Sequence, residues 1–411
     1  MIPVSKLLFA DNLKYELKLI NKVFAEKERQ ESVDMNSKEV VNAVLNHQQP
    51  DYIPIGTYAI DCDIAEKILG HETYVRNKVK TQFALWEGRR DEVVQSLKED
   101  SVELFKKLDC IDIILPFKEA VILPPKNYKP NKIKKINDKT YEDEKGNVYM
   151  ASFTSNDITM VKSTSRFTEK DFVGEPEAKA PDESIFEAYD YLIDHMKNSR
   201  FLAGMAGGFA PMVILGGMED GLMEYYLNPQ LVQLAIQYNT ELNNQLDPYY
   251  IRNGIDQIFV EQDFSTTKGP LMSPEMFREF CLPAMKKRVE NLKKYRKKIL
   301  FHSCGNTWKM IDMFIEAGIE LHQSLQTGAG MDIRNLKEIY GSKMSFWGGV
   351  AVENLIGGTP EDVRRDVRYA MKYGSQDGGF ILGPSHSIAY GTKYDNFMAM
   401  LDEYDKLKYN Y

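Results

Sequence analysis

Short apolar runs alternate with amphipathic stretches along most of the chain, and this rhythm predicts repeated strand–helix units. Buried strands are predicted at 52–56, 111–115, 201–205, 257–260, 299–301, 320–324, 344–347 and 379–382. Helices are predicted between them, for example over 229–246, 274–295, 307–317 and 360–373. Repeated units of this kind form a parallel sheet, and eight of them close a barrel. The pattern therefore predicts the α/β class and a (β/α)8 TIM barrel.

Two segments depart from this rhythm. Residues 1–36 are polar with apolar side chains at helical spacing, which predicts an N-terminal helical extension before a barrel domain over residues 37–411. Asn36 and Glu39 have the spacing of a capping box for the first helix of that domain. Residues 124–172 carry apolar side chains on both sides of a turn at Lys145-Gly146-Asn147, which predicts a β-hairpin inserted after a barrel strand.

Composition narrows the classes of function. The formal charge of −8 offers no basic field for nucleic acid, and the chain contains no run of about 18 apolar residues that could span a membrane. The mean hydropathy of −0.41 and a pI near 5.5 favour a soluble protein of the cytoplasm. Its four scattered cysteines lack the density of a disulfide scaffold, which agrees with a reducing compartment. Association into a homo-oligomer stays open at this point.

Polar residues lie at or just beyond the ends of several predicted strands, where a barrel of this kind has its active site. These residues are Glu261, Asp263, His302, Cys304, Gln323 and His386.

The sharpest feature among them is the run Phe301-His302-Ser303-Cys304-Gly305. A His/Cys pair two residues apart can point both side chains at one spot once the chain turns, and Gly305 permits that turn. Imidazole nitrogen and thiolate sulfur together suit zinc, whose catalytic sites have three protein ligands and an open position. His386, after the last predicted strand, is the candidate for the third ligand. The alternative is a free buried cysteine with two hydrogen-bonded histidines.

Glu261 and Asp263 share one face of a strand end. They are candidates for a fourth metal ligand or for a general acid or base. The alternative is a structural role, in which one of them caps the next segment or pairs with Lys268.

At these residues the chain resembles the uroporphyrinogen decarboxylase superfamily, and more closely its cobamide-dependent methyltransferase branch. The strongest stretches lie at 268–274, 301–306, 346–350 and 378–382. The resemblance implies a (β/α)8 barrel that exchanges a methyl group between a small-molecule donor or acceptor and a corrinoid carried on a partner protein. In that branch a His-x-Cys pair and a later cysteine bind zinc. His302 and Cys304 match the pair, whereas His386 stands at the later position.

This departure changes the charge of the expected zinc site. Two thiolates and one imidazole leave zinc formally neutral, whereas one thiolate and two imidazoles leave a formal charge of +1 and a stronger Lewis acid. Such a site polarises an ether or alcohol oxygen better than the two-thiolate site. We therefore expect an O-methyl donor, with a methoxylated aromatic as the favoured class, rather than a thiol acceptor.

Two other functions remain as alternatives. A decarboxylase of the same superfamily needs no metal and grips the propionates of its substrate with an arginine-rich amino-terminal motif. Here the first strand is followed by Thr57-Tyr58-Ala59-Ile60-Asp61, which contains no arginine. A non-catalytic barrel that only binds a corrinoid or another ligand is the second alternative.

Overall fold

The structure is a computed structural model, and it describes residues 35–409. The predicted N-terminal helical extension lies outside the described residues, except for Met35 and Asn36. From Asn36 onward the chain forms one compact unit. Its first helix begins with the predicted capping box, because the Asn36 side chain accepts from the Glu39 N–H and the Glu39 carboxylate accepts from the Asn36 N–H at 2.9 Å.

Thirteen strands are formed by the described residues. They are β1 (Ile113–Ile114), β2 (Ile133–Lys135), β3 (Thr140–Asp143), β4 (Val148–Ser152), β5 (Asp157–Lys162), β6 (Phe201–Gly204), β7 (Gln257–Glu261), β8 (Ser265–Thr266), β9 (Gly269–Pro270), β10 (Ile299–His302), β11 (Leu321–Leu325), β12 (Ser345–Val350) and β13 (Phe380–Pro384).

The α-helices of the same residues lie before β1, between strands and after β13. They are Ser37–Leu45, Cys62–Leu69, Lys78–Trp86, Arg90–Lys107, Pro116–Glu119, Glu187–Met196, Met218–Leu227, Pro229–Tyr250, Pro274–Met276, Leu282–Lys293, Ile311–Ala317, Ile333–Tyr340, Val352–Gly357, Pro360–Gly374 and Tyr394–Leu407. The predicted helix over 274–295 is interrupted by a π-helical turn at Phe277–Cys281, just before Pro283, which cannot donate a backbone hydrogen bond.

A seven-stranded parallel sheet organises the molecule, in the order β1-β6-β7-β10-β11-β12-β13. The segment predicted as the first strand forms only single parallel bridges, from Ile55 to Leu382 in β13 and from Gly56 to Ile113 in β1. This one segment therefore contacts both edge strands of the sheet. Pro54 within it has no N–H to donate, which limits its ladder. The α/β class and seven parallel strands are confirmed, while the eighth position consists of these bridges alone.

The insertion is larger than the predicted hairpin. Strands β2 to β5 form a four-stranded antiparallel sheet in chain order, and the predicted hairpin is its central pair, β3 and β4. The turn between them contains Gly146 at a φ of +81°. Tyr141 and Tyr149 pack against Trp86, which attaches the sheet to the helix Lys78–Trp86. The outer strands were not predicted. Strand β2 has three residues, two of them lysines, and the apolar residues of β5 (Ile158, Met160 and Val161) form no buried face.

Among residues 35–409 we find no helix with the length and apolar character that a membrane span requires.

Candidate active site

One row of side chains crosses the sheet near its carboxyl edge. The register pairs His302 of β10 with Glu261 of β7 on one side and with Gln323 of β11 on the other. Gln323 is paired in turn with Trp347 of β12, which is completely buried. Register neighbours in a parallel sheet point to the same face. Regular strand pairing alone therefore brings two of the predicted site residues, Glu261 and His302, to one side of the sheet.

Cys304 lies on a sharp turn after β10. Gly305 has a φ of +86°, and a Cβ at this position would lie 2.6 Å from the carbonyl oxygen of Thr266, so the turn requires glycine as the sequence predicted. The turn is tied to the preceding strand end, because the Cys304 N–H donates to Asp263 Oδ1 at 2.9 Å. The backbone that carries the cysteine is thus fixed.

His386 lies two residues beyond β13. The preceding residue, Ser385, donates its N–H to the Val350 carbonyl oxygen at 2.7 Å, and its own carbonyl oxygen accepts the Ser324 hydroxyl. Just after the histidine, Ile388 forms a parallel bridge with Ile60. The loop with His386 is therefore held against β12 and against the segment that follows the first strand position.

These elements bring the three predicted metal ligands together. One ligand atom from each of His302, Cys304 and His386 lies within 4.8 Å of the other two. We call this group the His/Cys cluster. His302 is buried, whereas Cys304 and His386 are half-buried. The cluster is therefore accessible from one side, at the carboxyl edge of the sheet.

His302 is held from two directions. Its Nδ1 is hydrogen-bonded to Gln323 Oε1, and because an amide oxygen only accepts, Nδ1 carries the proton and Nε2 keeps its lone pair. The Tyr58 ring stacks on the imidazole with 4.2 Å between ring centroids. The second amide atom, Gln323 Nε2, is buried without a hydrogen-bond partner among the described residues. A buried NH2 group without a hydrogen-bond partner costs free energy, and this indicates that the amide is there for the hydrogen bond that its oxygen accepts from His302.

Burial keeps both imidazoles neutral. It lowers the pKa of His302, against the opposing effect of the nearby Asp263 carboxylate, and it lowers the pKa of His386 in the same way. In His386, Nδ1 lies 3.1 Å from the Ser387 hydroxyl oxygen, which leaves Nε2 available. Neutral imidazole is the form that binds metals.

Asp263 lies beside the cluster. Its Oδ1 is 3.6 Å from His302 Nε2 and accepts the Cys304 N–H. Burial alone would raise the pKa of this carboxyl, but His302 and the hydrogen bonds from Cys304 outweigh it, and the pKa is lowered. Burial and the Asp263 charge raise the pKa of the Cys304 thiol to about 12. Without a cation the cysteine is therefore protonated at neutral pH.

Glu261 faces a different set of partners. Its Oε2 accepts hydrogen bonds from Lys118 Nζ at 2.5 Å and from Tyr58 Oη at 2.6 Å. The ammonium also lies 4.3 Å from the centre of the Tyr58 ring. Burial alone would raise the pKa of Glu261, but the charge and hydrogen bond of Lys118 and the bond from Tyr58 outweigh it, so the pKa is lowered. We call Glu261, Lys118 and Tyr58 the Glu261 cluster.

A buried carboxyl group lies close to this cluster. Glu119 is almost fully buried, its Oε1 accepts the Ile60 N–H at 3.1 Å, and its Oε2 has no partner among the described residues. Burial raises the pKa of Glu119 to about 8 even with Arg76 and Lys118 nearby, so it is largely protonated at neutral pH. Arg76 is itself paired with Asp61, through a bond of 2.9 Å from Nε to Oδ1.

The two predicted carboxylates thus have different surroundings. Asp263 contacts the His/Cys cluster. Glu261 pairs with Lys118, whereas the structural role considered from the sequence was a pair with Lys268. Sequence reasoning missed Tyr58, Lys118, Glu119 and Arg76 as neighbours of the site. A signal existed for three of them, because Tyr58 follows the predicted strand 52–56 by two residues, and Lys118 and Glu119 follow the predicted strand 111–115 by three and four.

Comparison with known proteins identifies a family for most of the chain. The sequence model of the uroporphyrinogen decarboxylase (URO-D) family matches residues 152–407, more than half of the chain. This chain belongs to the uroporphyrinogen decarboxylase family. The matched range covers β5 to β13 and includes every residue of the His/Cys cluster.

One sequence relative and one similar solved structure are methyltransferases by name. The methylcobamide:CoM methyltransferase MtbA of Methanosarcina acetivorans is 22% identical over 226 residues, which cover 55% of this chain and 64% of that protein. The chain therefore spans 64% of the length of that relative, which is less than two thirds. A solved methyltransferase structure from Methanosarcina mazei superimposes with a TM-score of 0.58 at 16% identity, over 91% of this chain and 99% of that one. At this identity the second likeness shows the fold alone.

Proposed function

We propose that this protein is a zinc-dependent methyltransferase that moves a methyl group between a small substrate and a corrinoid carried on a partner protein. The observation that carries the proposal is the convergence of two imidazoles and one thiol within 4.8 Å at the carboxyl edge of the sheet. The name of the relative from Methanosarcina acetivorans supports the reaction class. We infer also that residues 53–56 occupy the eighth strand position of a closed (β/α)8 barrel, because they bridge both edge strands.

The donor set fits zinc. Around a tetrahedral zinc ion with bonds of about 2.0–2.3 Å, neighbouring ligand atoms are roughly 3.5 Å apart. The three ligand atoms of the cluster lie within 4.8 Å of one another, so small side-chain movements bring them to that spacing. The hydrogen bond that His302 Nδ1 donates to Gln323 Oε1 orients the imidazole with Nε2 free, in the manner of residues that support metal-bound histidines elsewhere. When bound, zinc supplies Lewis acidity to the heteroatom that gains or loses the methyl group.

The chain's own residues divide the remaining work. Asp263, beside His302 Nε2 and the Cys304 N–H, is the candidate for a fourth ligand or for the group that receives the thiol proton. Glu261 orients the substrate, because its carboxylate is held by Lys118 and Tyr58 rather than by the cluster. Tyr58 joins the two functions, since its ring packs on His302 and its hydroxyl group donates to Glu261.

The ligand types favour an oxygen-linked methyl group. One thiolate and two neutral imidazoles leave a divalent ion with a formal charge of +1, which stabilises an alkoxide or phenolate leaving group better than a neutral site does. A methoxylated aromatic is the donor class that we propose. If the protein demethylates thioethers or methylates thiols but leaves aryl methyl ethers intact, this part of the proposal is wrong.

Decarboxylation of a polyanionic substrate is the weaker alternative. The two cations near the site are both compensated, Arg76 by Asp61 and Lys118 by Glu261. Several carboxylates on one substrate would therefore meet no uncompensated positive charge among these residues.

The test combines metal analysis with the visible spectrum of a reduced corrinoid after addition of candidate methyl donors. We expect one zinc ion per chain and a spectral change with aryl methyl ethers. His386→Ala should abolish both, whereas His195→Ala, a histidine on the helix Glu187–Met196, should change neither. Stoichiometric zinc without any spectral change across oxygen, nitrogen and sulfur methyl donors would instead favour the non-catalytic binding barrel.

A further inference from the structure

The Glu261 carboxylate has one engaged and one available oxygen. Both of its hydrogen bonds, from Lys118 and Tyr58, go to Oε2, and no described residue donates to Oε1. A carboxylate offers about four lone-pair positions, and half of them remain. The Glu261 side chain is 40% exposed although the Lys118 side chain is only 10% exposed. A strong acceptor is thus presented to the solvent-accessible side of the cluster while its countercharge is buried.

This acceptor lies close to the His/Cys cluster. Glu261 and His302 are register neighbours on adjacent parallel strands, which are about 4.8 Å apart. The Tyr58 ring connects them, with its centroid 4.2 Å from that of His302 and 5.6 Å from that of His386. A molecule whose heteroatom lies at the His/Cys cluster therefore has its next substituent within reach of Glu261.

The charges around the acceptor select against an anion. Three carboxylates, Asp61, Glu261 and Asp263, face two cations, Arg76 and Lys118, and Glu119 is largely protonated at neutral pH. A divalent ion and the Cys304 thiolate together add one positive charge, which brings the sum to zero. No cation is left over for a carboxylate or sulfonate on the substrate.

We propose that Glu261 is a specificity-determining residue whose free carboxylate oxygen accepts a hydrogen bond from an uncharged donor on the substrate, next to the group that exchanges methyl. The substrate class is then a methyl ether with a neighbouring hydroxyl group, and anionic analogues are rejected. This inference rests on the proposed function for the identity of the reacting group, but it concerns binding and can be tested without methyl transfer.

The experiment is isothermal titration calorimetry on the zinc-loaded protein in the absence of a corrinoid. Three probes share one ring: 2-methoxyphenol carries the donor, 1,2-dimethoxybenzene has it blocked, and 2-methoxybenzoate carries an anion instead. We expect 2-methoxyphenol to bind at least about tenfold more tightly than either of the others, since a hydrogen bond to a charged acceptor discriminates by that factor or more.

Two variants separate recognition from structure. Lys118→Met/Glu261→Met removes the acceptor together with its countercharge, so no buried charge is left unpaired, and the tenfold preference should fall to about one. Lys118→Met alone keeps the Glu261 carboxyl group, whose oxygens accept a hydrogen bond whether or not the group is ionised, so 2-methoxyphenol should still bind more tightly than the other two probes. Zinc content and thermal midpoint are measured for each variant to establish that it is folded.

Two results would overturn the inference: equal or tighter binding of either control probe to the wild-type protein, or a preference that persists in the double variant. The first needs no variant, so the inference remains falsifiable even if the double variant does not fold. The corrinoid assay tests the proposed function separately. Failure there with a retained preference for 2-methoxyphenol would reject methyl transfer but not the role of Glu261 in recognition.

Discussion

The two clusters at the carboxyl edge of the sheet differ in how far their polar atoms satisfy one another. In the Glu261 cluster, an ammonium and a phenol both donate to one carboxylate oxygen, so the charge is compensated within the protein and only the second oxygen remains available. In the His/Cys cluster, three ligand atoms lie within 4.8 Å, yet no hydrogen bond among the described residues joins any two of those side chains. A cation binds where several lone pairs converge and are not used by hydrogen bonds to one another, as in the His/Cys cluster. A carboxylate whose charge is already compensated, such as Glu261, is suited to orient an uncharged ligand.

The largest effect is expected from a substitution within the His/Cys cluster. Cys304→Ser removes the only sulfur ligand and should weaken zinc binding on the order of a thousandfold, as expected for one of a few ligands that together hold the ion. Competition with a chromophoric chelator measures this. Cys110→Ser is the matched control, because Cys110 precedes β1 at the opposite end of the sheet, and it should bind zinc as the wild type does. If Cys304→Ser bound zinc with the affinity of the wild type, Cys304 would not be a zinc ligand.

The second prediction concerns the charge balance behind the Glu261 cluster. Glu119 has a pKa of about 8 in the fold and near 4.5 when unfolded, so between these values the folded state binds more protons and stability falls as pH rises. From pH 5 to pH 8 the wild type should lose about 2–4 kcal/mol of unfolding free energy from this group. Glu119→Gln should flatten that decline in urea titrations.

The control for this prediction is Glu219→Gln, on the exposed first turn of the helix Met218–Leu227, which should follow the wild-type curve. An unchanged pH profile in Glu119→Gln would mean that the carboxyl is ionised in the fold, and that the neutral balance assigned to the site is wrong.

The two clusters also differ in how far the sequence predicted them. The His/Cys cluster lies on the ends of β10 and β13, in the half of the chain where apolar strands and helices alternate regularly, so the strand-end rule found all three residues. Tyr58 and Lys118 come from the first half. There the first strand position forms only bridges, β1 has two residues, and Pro116-Phe117 separates β1 from Lys118. The row of Glu261, His302 and Gln323 depends on strand register, which periodicity does not reveal.

A third prediction tests the support of the His/Cys cluster without removing a ligand. Gln323→Leu deletes the acceptor that orients His302 and should weaken zinc binding about 10–100-fold. Gln262→Leu is the matched control, because the Gln262 amide bonds to the Met212 backbone rather than to a ligand, and it should stay near the wild type. Equal effects of the two substitutions would indicate a general loss of packing and not a loss of ligand orientation.

The smallest effect is expected at Tyr58, which belongs to the Glu261 cluster and packs on His302 of the His/Cys cluster. Tyr58→Phe removes the hydrogen bond to Glu261 but keeps the ring on His302, so unfolding free energy should fall by about 0.5–1.5 kcal/mol while zinc affinity is unchanged. Tyr58→Leu removes the ring as well and should weaken zinc binding. Loss of zinc in Tyr58→Phe would show that the hydroxyl group, and therefore the Glu261 cluster, takes part in holding the metal.

The central claim is that His302, Cys304 and His386 hold one zinc ion together, and X-ray absorption at the zinc edge of the loaded protein tests it most directly. The expected spectrum has one sulfur at about 2.3 Å and at least two imidazole nitrogens at about 2.0–2.1 Å, with one ion per chain. A first shell of nitrogen and oxygen without sulfur, or a chain that takes up no stoichiometric zinc, would contradict the account.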